Sequence, residues 1–388
     1  MGHRQTRTHR DGKTSWHQIG LVRGQFGDVP MGSWLSFVAD AGFDGWEEAS
    51  WELELGRSTT DAGAAAYARE RVDTARAHGL EIFSIATHLQ GQALGDEASA
   101  KTLQFVGGEA VEAYREWRRT HEPPRTDPFR VPDEVGQLIH RQALAALLAS
   151  VRLAARIGEL EDRRVPLSTF TGSPAYAWSH WFEFPPPPRA IGGFAIADPR
   201  QVALELIVER FAPVLDLCRE LGTTLDLECH PSERAMGDLE SASDYIETLV
   251  RAGYGGVAGF NLDCSHLEWQ GVSGVEFIRE FAEHIHCVHI KGVQVERGYC
   301  RGGRLGGHRP MGHRHNGWNF VTPGSARDAI RTEEIIVELN RAGFDGALSI
   351  EWEDNDADKF AGARAALANV RRADLPPSTS RHDETLRA

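Results

Sequence analysis

Short apolar runs typical of β-strands alternate with helical patterns along most of this sequence, and the alternation limits the folds available to it. Eight predicted strands are each followed by a helical segment. Strict alternation predicts a parallel sheet, because a helix returns the chain to the same edge before each new strand. Eight repeats without a topological break favour a closed (β/α)8 TIM barrel. An open doubly wound sheet is the alternative, but no glycine fingerprint follows the first strand.

Long insertions interrupt the loops that follow the predicted strands. The first four strands lie at 16–24, 43–49, 80–89 and 165–172, and the last four end at Glu228, Asp263, His289 and Glu351. The insertions lie at about 93–135, 173–195 and 292–326. The second insertion contains four consecutive prolines and several aromatic residues, including Trp178 and Trp181. This composition predicts that it walls a pocket or contacts a partner.

We predict one barrel domain at 15–374, between a disordered lead-in at 1–14 and a disordered tail at 375–388. The lead-in is basic but has no apolar segment behind it, so it lacks the pattern of a secretory signal. The tail is rich in Pro, Ser and Arg, a composition that does not build a packed core.

Charge and cysteine content disfavour several classes of protein. A formal net charge of −14 argues against nucleic acid as the main partner, because phosphate binding needs a basic surface. No stretch approaches the roughly 20 consecutive apolar residues of a membrane helix. The five cysteines are an odd number without CxxC spacing, so neither a disulfide framework nor a zinc finger is indicated. We therefore expect a reduced, cytoplasmic protein without a membrane partner.

Four predicted strands end in residues that can bind a metal: Glu228, Asp263, His289 and Glu351. In a (β/α)8 barrel the carboxyl ends of all strands meet at one face, where active sites lie. Three carboxylates there would repel one another, and a cation removes that repulsion. Any one of the four could be a helix cap or a surface group, but the set predicts one divalent cation. Three oxygen ligands and an imidazole favour Mn²⁺, with Mg²⁺, Co²⁺ and Zn²⁺ as alternatives.

A second polar residue follows three of these predicted ligands. His230, His266 and Lys291 lie two, three and two residues beyond the ligand before them. On a continuing strand, a spacing of two turns both side chains to the same face. These residues are candidates for orienting the ligands or contacting substrate. The alternative is an ordinary polar side chain in a loop.

The other histidines and the cysteines give weaker signals. His88, at the end of the third predicted strand, is a candidate acid or base, or else a capping or core histidine. Three irregularly spaced histidines in the third insertion suggest substrate or partner contacts more than metal binding: His308, His313 and His315. Three cysteines lie close to the predicted ligands, and buried packing is the better interpretation for all of them: Cys229, Cys264 and Cys287.

The segments around these residues resemble the xylose isomerase-like TIM-barrel superfamily, the superfamily of sugar phosphate isomerases and epimerases, inosose-processing enzymes and ketose 3-epimerases. The resemblance covers roughly Ile19 to Asp374. It rests on the following segments: Ala-Thr-His-Leu-Gln-Gly-Gln-Ala (86–93), Phe-Thr-Gly-Ser (170–173), Glu-Cys-His-Pro-Ser-Glu (228–233), Leu-Asp-Cys-Ser-His (262–266), His-Ile-Lys (289–291), Gly-Trp-Asn-Phe-Val-Thr-Pro-Gly (317–324) and Ser-Ile-Glu-Trp-Glu-Asp (349–354).

This resemblance implies a metal-dependent isomerase or epimerase that acts on a keto-sugar or related polyol through an enediolate. The cation is held by the four predicted ligands and by adjacent oxygens of the substrate. Glu228 and Glu351 match the glutamates that move protons on opposite faces of the sugar carbon in epimerases. The predicted substrate contacts are His266, Lys291, Glu353 and Arg304. A small sugar or glycoside is the expected partner, and a homo-oligomer is the expected assembly.

The resemblance also implies a second outcome, which starts from the same first step: a glutamate removes the proton from the carbon next to the ketone. If the carbanion expels a substituent, the enzyme is a lyase that cleaves 3-oxo-glycosides. Enzymes that cleave C-glycosides after oxidation at C3 resemble this scaffold and work with a small β-rich partner subunit. His88 or His230 would then be the acid or base.

Two further classes of protein fit these residues less well. Endonucleases that cut at abasic sites with three zinc ions belong to the superfamily, but they need more ligands and a basic groove. A non-catalytic sugar-binding protein would not need the full ligand set. The chain departs from the small ketose epimerases in its insertions. It also lacks a clear counterpart of their arginine after the histidine ligand, for which Arg297, Arg301 and Arg304 are candidates.

Overall fold

A computed structural model describes residues 7–8, 14–174, 188–231, 237–296, 298, 300–304 and 309–378. Eight strands form a closed barrel in which each is hydrogen-bonded to the next along the chain, and the last to the first. Their pairing is parallel, as between Leu348–Ile350 and Ile19–Val22, and the predicted (β/α)8 TIM barrel is confirmed. The strands are Ile19–Val22, Gly45–Ala49, Glu81–Ala86, Leu167–Thr169, Leu225–Glu228, Ala258–Asp263, Ile285–Ile290 and Leu348–Ile350.

Helices separate the barrel strands, and local chemistry sets their ends. The Asp198 side chain accepts the N–H of Arg200 at the start of Pro199–Leu221. Gly42, with φ 94°, ends the first helix as a left-handed cap. No helix in the described ranges is both long and apolar enough to cross a bilayer. The α-helices are Met31–Ala41, Asp61–Ala77, His88–Gly95, Ala100–Leu103, Gly108–Arg118, Asp133–Glu161, Pro199–Leu221, Leu239–Arg251, Cys264–Glu268, Gly274–Phe281, Thr332–Ala342 and Lys359–Ala373.

The chain divides into two compact units, and one contains the described parts of Glu47–Ala77 and Glu81–Leu262. Its longest helix, Asp133–Glu161, packs against Asp61–Ala77 and Pro199–Leu221. The face that makes these contacts is apolar, with Ile139, Leu147, Val151, Leu153 and Ile157 all buried. An apolar stripe of this kind supplies most of the stability of a surface helix.

The other unit contains the described parts of Met1–Trp46, His78–Leu80 and Asp263–Ala388. Its helix Thr332–Ala342 packs against Gly274–Phe281 and Lys359–Ala373. The His17 Nδ1 atom lies 2.8 Å from Asp374 Oδ1, and Asp374 Oδ2 accepts the backbone N–H groups of Trp16 and His17. This buried pair ties the segment before the first barrel strand to the end of the last helix.

The sequence predicted a long loop at 292–326, but part of this connection forms two paired strands. Gly292–Val295 and Trp318–Val321 pair as an antiparallel hairpin. A Cβ on Gly292 would lie 2.5 Å from the Val321 carbonyl oxygen, so the close approach requires glycine. The intervening Gly- and Arg-rich residues contain no apolar alternation, and the pairing partners lie far apart in sequence. Local periodicity therefore missed this hairpin.

Several predictions fall outside the described residues. They include the aromatic part of the 173–195 insertion, with Trp178 and Trp181, and also Arg297 and His308. Most of the lead-in and the tail beyond residue 378 lie outside as well. Two small antiparallel pairs are described: Arg7–Thr8 with Thr14–Ser15, and Ala190–Ile191 with Phe194–Ala195.

Candidate metal centre

The four residues predicted at strand ends form one buried group. One ligand atom from each of Glu228, Asp263, His289 and Glu351 lies within 4.8 Å of the others. Atoms bound to one divalent cation at about 2.0–2.2 Å lie at most about 4.4 Å apart, so small side-chain movements would close the group on an ion. Three carboxylates and one imidazole are also a donor set that such ions accept. The residues present therefore fit a divalent cation.

Each of the four stands at or next to the carboxyl end of its strand. Glu228 and Asp263 are the last residues of Leu225–Glu228 and Ala258–Asp263. His289 is the penultimate residue of Ile285–Ile290, and Glu351 follows Leu348–Ile350 directly. Parallel strands end at the same face of a barrel. The local strand pattern and the parallel topology together place these ligands at that face.

Lys291 lies among three carboxylates. Its Nζ atom is 3.3 Å from Glu351 Oε2, 3.2 Å from Glu353 Oε1 and 3.9 Å from Asp263 Oδ2. The ammonium also lies 4.0 Å from the centre of the Phe320 ring, a cation–π contact. Only 4% of the Lys291 side chain is exposed, so its charge acts on these carboxylates with little screening by water.

Glu351 has two further neighbours besides Lys291. The Gln25 Nε2 atom donates to Glu351 Oε1 at 2.6 Å and to Glu353 Oε1 at 3.2 Å. His289 Nδ1 lies 3.2 Å from Glu351 Oε2. The structure therefore brings the predicted substrate contacts Lys291 and Glu353 together with the predicted ligand Glu351.

Asp263 begins the short helix Cys264–Glu268, which the sequence did not predict. Its Oδ1 atom accepts the backbone N–H of Ser265 at 2.8 Å, the usual geometry of a helix cap. His266 lies three residues further on, and helical spacing returns its Nε2 atom to 3.4 Å from Asp263 Oδ2. The edge of its ring meets Phe320 at a centroid distance of 5.4 Å. His266 is therefore beside a predicted ligand, as expected.

Glu228 is held by a different pair of side chains. The Asn261 Nδ2 atom donates to Glu228 Oε2 at 2.7 Å, and Asn261 is opposite Glu228 in the register of the two strands. His88 Nε2 lies 3.3 Å from the same oxygen. The prediction that His88 ends a strand is wrong, because the strand stops at Ala86 and His88 begins the helix His88–Gly95.

His230 does not lie on a continuing strand, so the predicted reason for its orientation is wrong. The strand ends at Glu228. The half-buried His230 ring packs 4.9 Å from Phe170, and Phe170 lies 4.5 Å from the His88 ring. Phe170 therefore contacts both histidines that the sequence named as candidate acids or bases.

The remaining predicted residues lie in varied surroundings. Arg304 is exposed, and its Nη1 atom lies 3.5 Å from the carbonyl oxygen of Trp269, so the structure gives it no contact with a ligand among the described residues. The His313 and His315 rings lie 5.1 Å apart in the connection at 292–326.

Burial of the three cysteines next to the predicted ligands is confirmed: Cys229, Cys264 and Cys287. Burial and the nearby Asp263 charge raise the pKa of Cys264, which favours the protonated thiol.

A buried aromatic cluster extends from Lys291 along the hairpin. The Trp318 ring stacks on Trp269 at 4.6 Å with an angle of 10° between the planes, and it meets Phe320 at 5.2 Å. Phe320 in turn contacts Lys291 and His266. Trp269 and Phe320 are buried together with Val293, and the half-buried Trp318 packs against them, so the cluster forms a small hydrophobic core beneath the hairpin.

Sequence reasoning missed Asn261 and Gln25. Asn261 lies two residues before Asp263 on one strand, so alternation could have placed both side chains on the same face. Gln25 lies in a short 3₁₀ turn at Gly24–Phe26 and has no motif around it. Its contacts with residues more than three hundred positions away are visible only in the folded chain.

Comparisons with known proteins add to this geometry. The family model described as a xylose isomerase-like TIM barrel matches residues 138–373. The chain is 32% identical over 129 residues to the uncharacterized protein YfiH of Bacillus subtilis (strain 168). That match covers 32% of this chain and 41% of YfiH, so the chain spans less than half the length of this relative.

Solved structures resemble the chain at low sequence identity. The apo form of 3-keto-D-glucoside 4-epimerase, YcjR, from E. coli gives a TM-score of 0.54 with 13% identity, over 92% of this chain and 99% of that one. D-psicose 3-epimerase from Clostridium cellulolyticum H10, solved with D-tagatose, gives 0.54 with 16% identity over the same shares. The IOLI protein, solved with a zinc atom, gives 0.51 with 13% identity over 92% and 96%. At such identities the likeness supports the fold alone.

Proposed function

The chain belongs to the xylose isomerase-like TIM-barrel family, and from this premise we propose that it is a divalent-metal-dependent isomerase or epimerase of a keto-sugar or related polyol. The observation that carries the proposal is the buried group of Glu228, Asp263, His289 and Glu351. Structural neighbours that are sugar epimerases support the same class of reaction. The proposed cation is Mn²⁺ because carboxylate oxygens dominate the ligand set. The zinc atom of the IOLI neighbour keeps Zn²⁺ as an alternative, beside Mg²⁺ and Co²⁺.

A cation in this site would draw electron density from a substrate carbonyl and acidify the proton on the neighbouring carbon. Glu228 and Glu351 are the proposed proton carriers. One glutamate removes the proton from one face of that carbon, and the other delivers a proton to the opposite face. Both carboxylates are buried, so bulk water does not compete for the transferred proton.

Substrate contacts are proposed for four residues around this group. Lys291 can donate to a substrate oxygen, and Glu353 beside it can accept from a hydroxyl, since the two lie 3.2 Å apart at the same ligand. His266 would contact the substrate from the Asp263 side. Arg304 belongs to this set only if substrate binding draws it in from its exposed position. Assembly into a homo-oligomer and association with a small partner subunit stay predictions.

Two histidines in contact with Phe170 favour a second candidate function. Trp318, which is half-buried at the edge of the aromatic cluster, would contact the aglycone of a glycoside, which a free ketose lacks. Elimination from a 3-oxo-glycoside begins with the same proton abstraction and ends with loss of the substituent. His88 and His230, on either side of Phe170, would supply the proton that the departing group needs.

One experiment tests both candidates. The Mn²⁺-loaded protein is incubated in D₂O with free ketoses and, separately, with 3-oxo-glucosides. Deuterium in an intact sugar supports the isomerase or epimerase, and release of the aglycone supports the lyase. If a protein that holds its metal gives neither deuterium incorporation nor aglycone release, both candidates are overturned. Glu351→Gln should lose the activity, whereas Glu116→Gln, on an exposed helix, should keep it.

A further inference from the structure

Gln25 holds two glutamates of the candidate centre with one amide group. It lies in the 3₁₀ turn Gly24–Phe26, which follows the first barrel strand. Its Nε2 atom donates to Glu351 Oε1 at 2.6 Å and to Glu353 Oε1 at 3.2 Å. Hydrogen bonds to carboxylates are stronger than bonds between neutral groups. The turn after the first strand is therefore bound to the two acidic residues that follow the last strand.

The orientation of the Gln25 amide follows from these partners. Ionised carboxylates only accept hydrogen bonds, so the amide nitrogen must face them and the amide oxygen must point elsewhere. That oxygen, Oε1, is buried, and within the described part of the chain no atom donates to it. A buried acceptor without a donor costs stability. A residue that leaves one of its own polar atoms unpaired while it binds two site carboxylates is better explained by the needs of the site than by folding.

We propose that Gln25 is a positioning residue for Glu351 and Glu353. By occupying Glu351 Oε1, it turns the other oxygen, Oε2, toward His289 and Lys291. Oε2 is then the oxygen presented to a cation. The same amide keeps Glu353 beside Glu351, where Lys291 also contacts it. This role rests on the proposed function, because it assumes that Glu351 binds the cation.

The competing explanation is that Gln25 only fastens the first turn to the barrel. A fastening role would make removal of the amide lower the melting temperature and leave metal affinity unchanged. A positioning role predicts the opposite pattern. Outer residues that orient metal ligands typically change metal affinity by about 10–100-fold when they are replaced. Removing the orphaned amide oxygen should at the same time leave the melting temperature unchanged or raise it.

The test replaces Gln25 with methionine, which has a similar length but no amide. Mn²⁺ binding is measured by calorimetric titration of the full chain, together with the melting temperature of the metal-free protein. Gln25→Met should raise the Kd for Mn²⁺ by about 10–100-fold. The Mn²⁺ concentration for half-maximal activity should rise by a similar factor. The matched control is Gln294→Met. The Gln294 amide donates at 3.0 Å to Glu296, which is outside the set of candidate ligands. The Kd of this variant for Mn²⁺ should equal that of the parent.

Two results would count against the role of Gln25, and they are distinguishable. If Gln25→Met binds Mn²⁺ as tightly as the parent while Glu351→Ala does not, Gln25 is a fastening residue and the proposed function stands. If the parent binds no Mn²⁺, or Glu351→Ala binds it as the parent does, the proposed function fails, and the role of Gln25 fails with it.

Discussion

Glu228 and Glu351 end two strands of one barrel, yet the side chains around them differ. Each receives a carboxamide: Asn261 donates to Glu228 Oε2 at 2.7 Å, and Gln25 donates to Glu351 Oε1 at 2.6 Å. The second neighbour of Glu228 is His88, at 3.3 Å from the same Oε2 atom. The second neighbour of Glu351 is Lys291, at 3.3 Å from the other oxygen, Oε2.

This difference indicates that the two glutamates are not interchangeable. The ammonium of a lysine is a compact positive charge that favours an ionised carboxylate beside it. An imidazole can donate or accept a proton, so it can pass one on as well as bind. An imidazole, His289, also lies 3.2 Å from Glu351 Oε2, but it is a proposed ligand, so the cation would occupy it. We therefore expect the Lys291 charge to keep Glu351 ionised and His88 to exchange protons with Glu228. Substitutions of the two glutamates, of Lys291 and of Asn261 test this comparison, and one at Asp328 tests stability alone. They are taken from the largest expected effect to the smallest.

The largest effect should come from the glutamates themselves. Glu228→Gln and Glu351→Gln each remove one proposed proton carrier, and we expect each to lower kcat/KM by about 10³-fold or more, within the range of general acid–base catalysis. If the two act on opposite faces, each variant should also lose solvent deuterium exchange into one epimer more than into the other. Mass spectrometry of both epimers measures this. Equal exchange losses in both variants would contradict a division of the two faces.

Lys291→Met should rank second, with a loss of about 10²-fold in kcat/KM, because it removes the buried cation beside Glu351 and keeps an apolar side chain against Phe320. Steady-state kinetics of the metal-saturated enzyme provide the measurement. The control is Lys359→Met, which removes the Lys359–Asp28 surface pair and should leave the kinetics unchanged. A Lys291→Met enzyme with parental kinetics would show that the ammonium does not distinguish the two glutamates.

Asn261→Leu tests the carboxamide that the two glutamates have in common. Loss of this amide should remove the donor to Glu228 Oε2 and weaken Mn²⁺ binding by about 10–100-fold. Calorimetric titration gives the Kd, and Asn340→Leu, whose amide donates to the Leu375 carbonyl oxygen, serves as the control. If Asn261→Leu raises the Kd for Mn²⁺ far less than Gln25→Met does, the two carboxamides do not share one role in metal binding.

The half-buried carboxylate of Asp328 gives the smallest predicted effect, and this effect is on stability alone. Burial raises the pKa of Asp328 to about 6, although the backbone N–H groups of Val293, Gly324 and Ile330 all donate to it. Because this folded-state pKa exceeds the ordinary value of 3.8, the proton stabilises the fold below about pH 4. That stabilisation is lost as the pH rises through about 6.

Asp328→Asn cannot titrate, so it provides the comparison. Between pH 4 and pH 7 the parent should lose about 2 kcal/mol of unfolding free energy relative to this variant. Urea unfolding at several pH values measures the difference. A constant difference across this range would show that Asp328 does not titrate as described.

Much of the fold and the ligand set could be predicted from the sequence, because both depend on local patterns. Apolar runs of strand length alternate with helical periodicity, and eight such repeats favour a closed parallel barrel. Glu228, Asp263, His289 and Glu351 stand at strand ends, so the parallel topology implied that they meet. The strand Leu225–Glu228 ends where the sequence predicted, because Pro231 follows closely and a proline cannot donate a hydrogen bond to a sheet.

Only the tertiary structure decided which neighbours these ligands have. Gln25 reaches Glu351 across 326 positions, and no local pattern marks a glutamine in a turn as the partner of a distant carboxylate. The hairpin of Gly292–Val295 with Trp318–Val321 depends on a pairing over a long intervening connection. His88 reaches Glu228 from the start of a helix and not from a strand end. The sequence by itself identified the four candidate ligands, because strand ends are local features. Their surroundings depend on contacts between residues that come together only when the barrel closes.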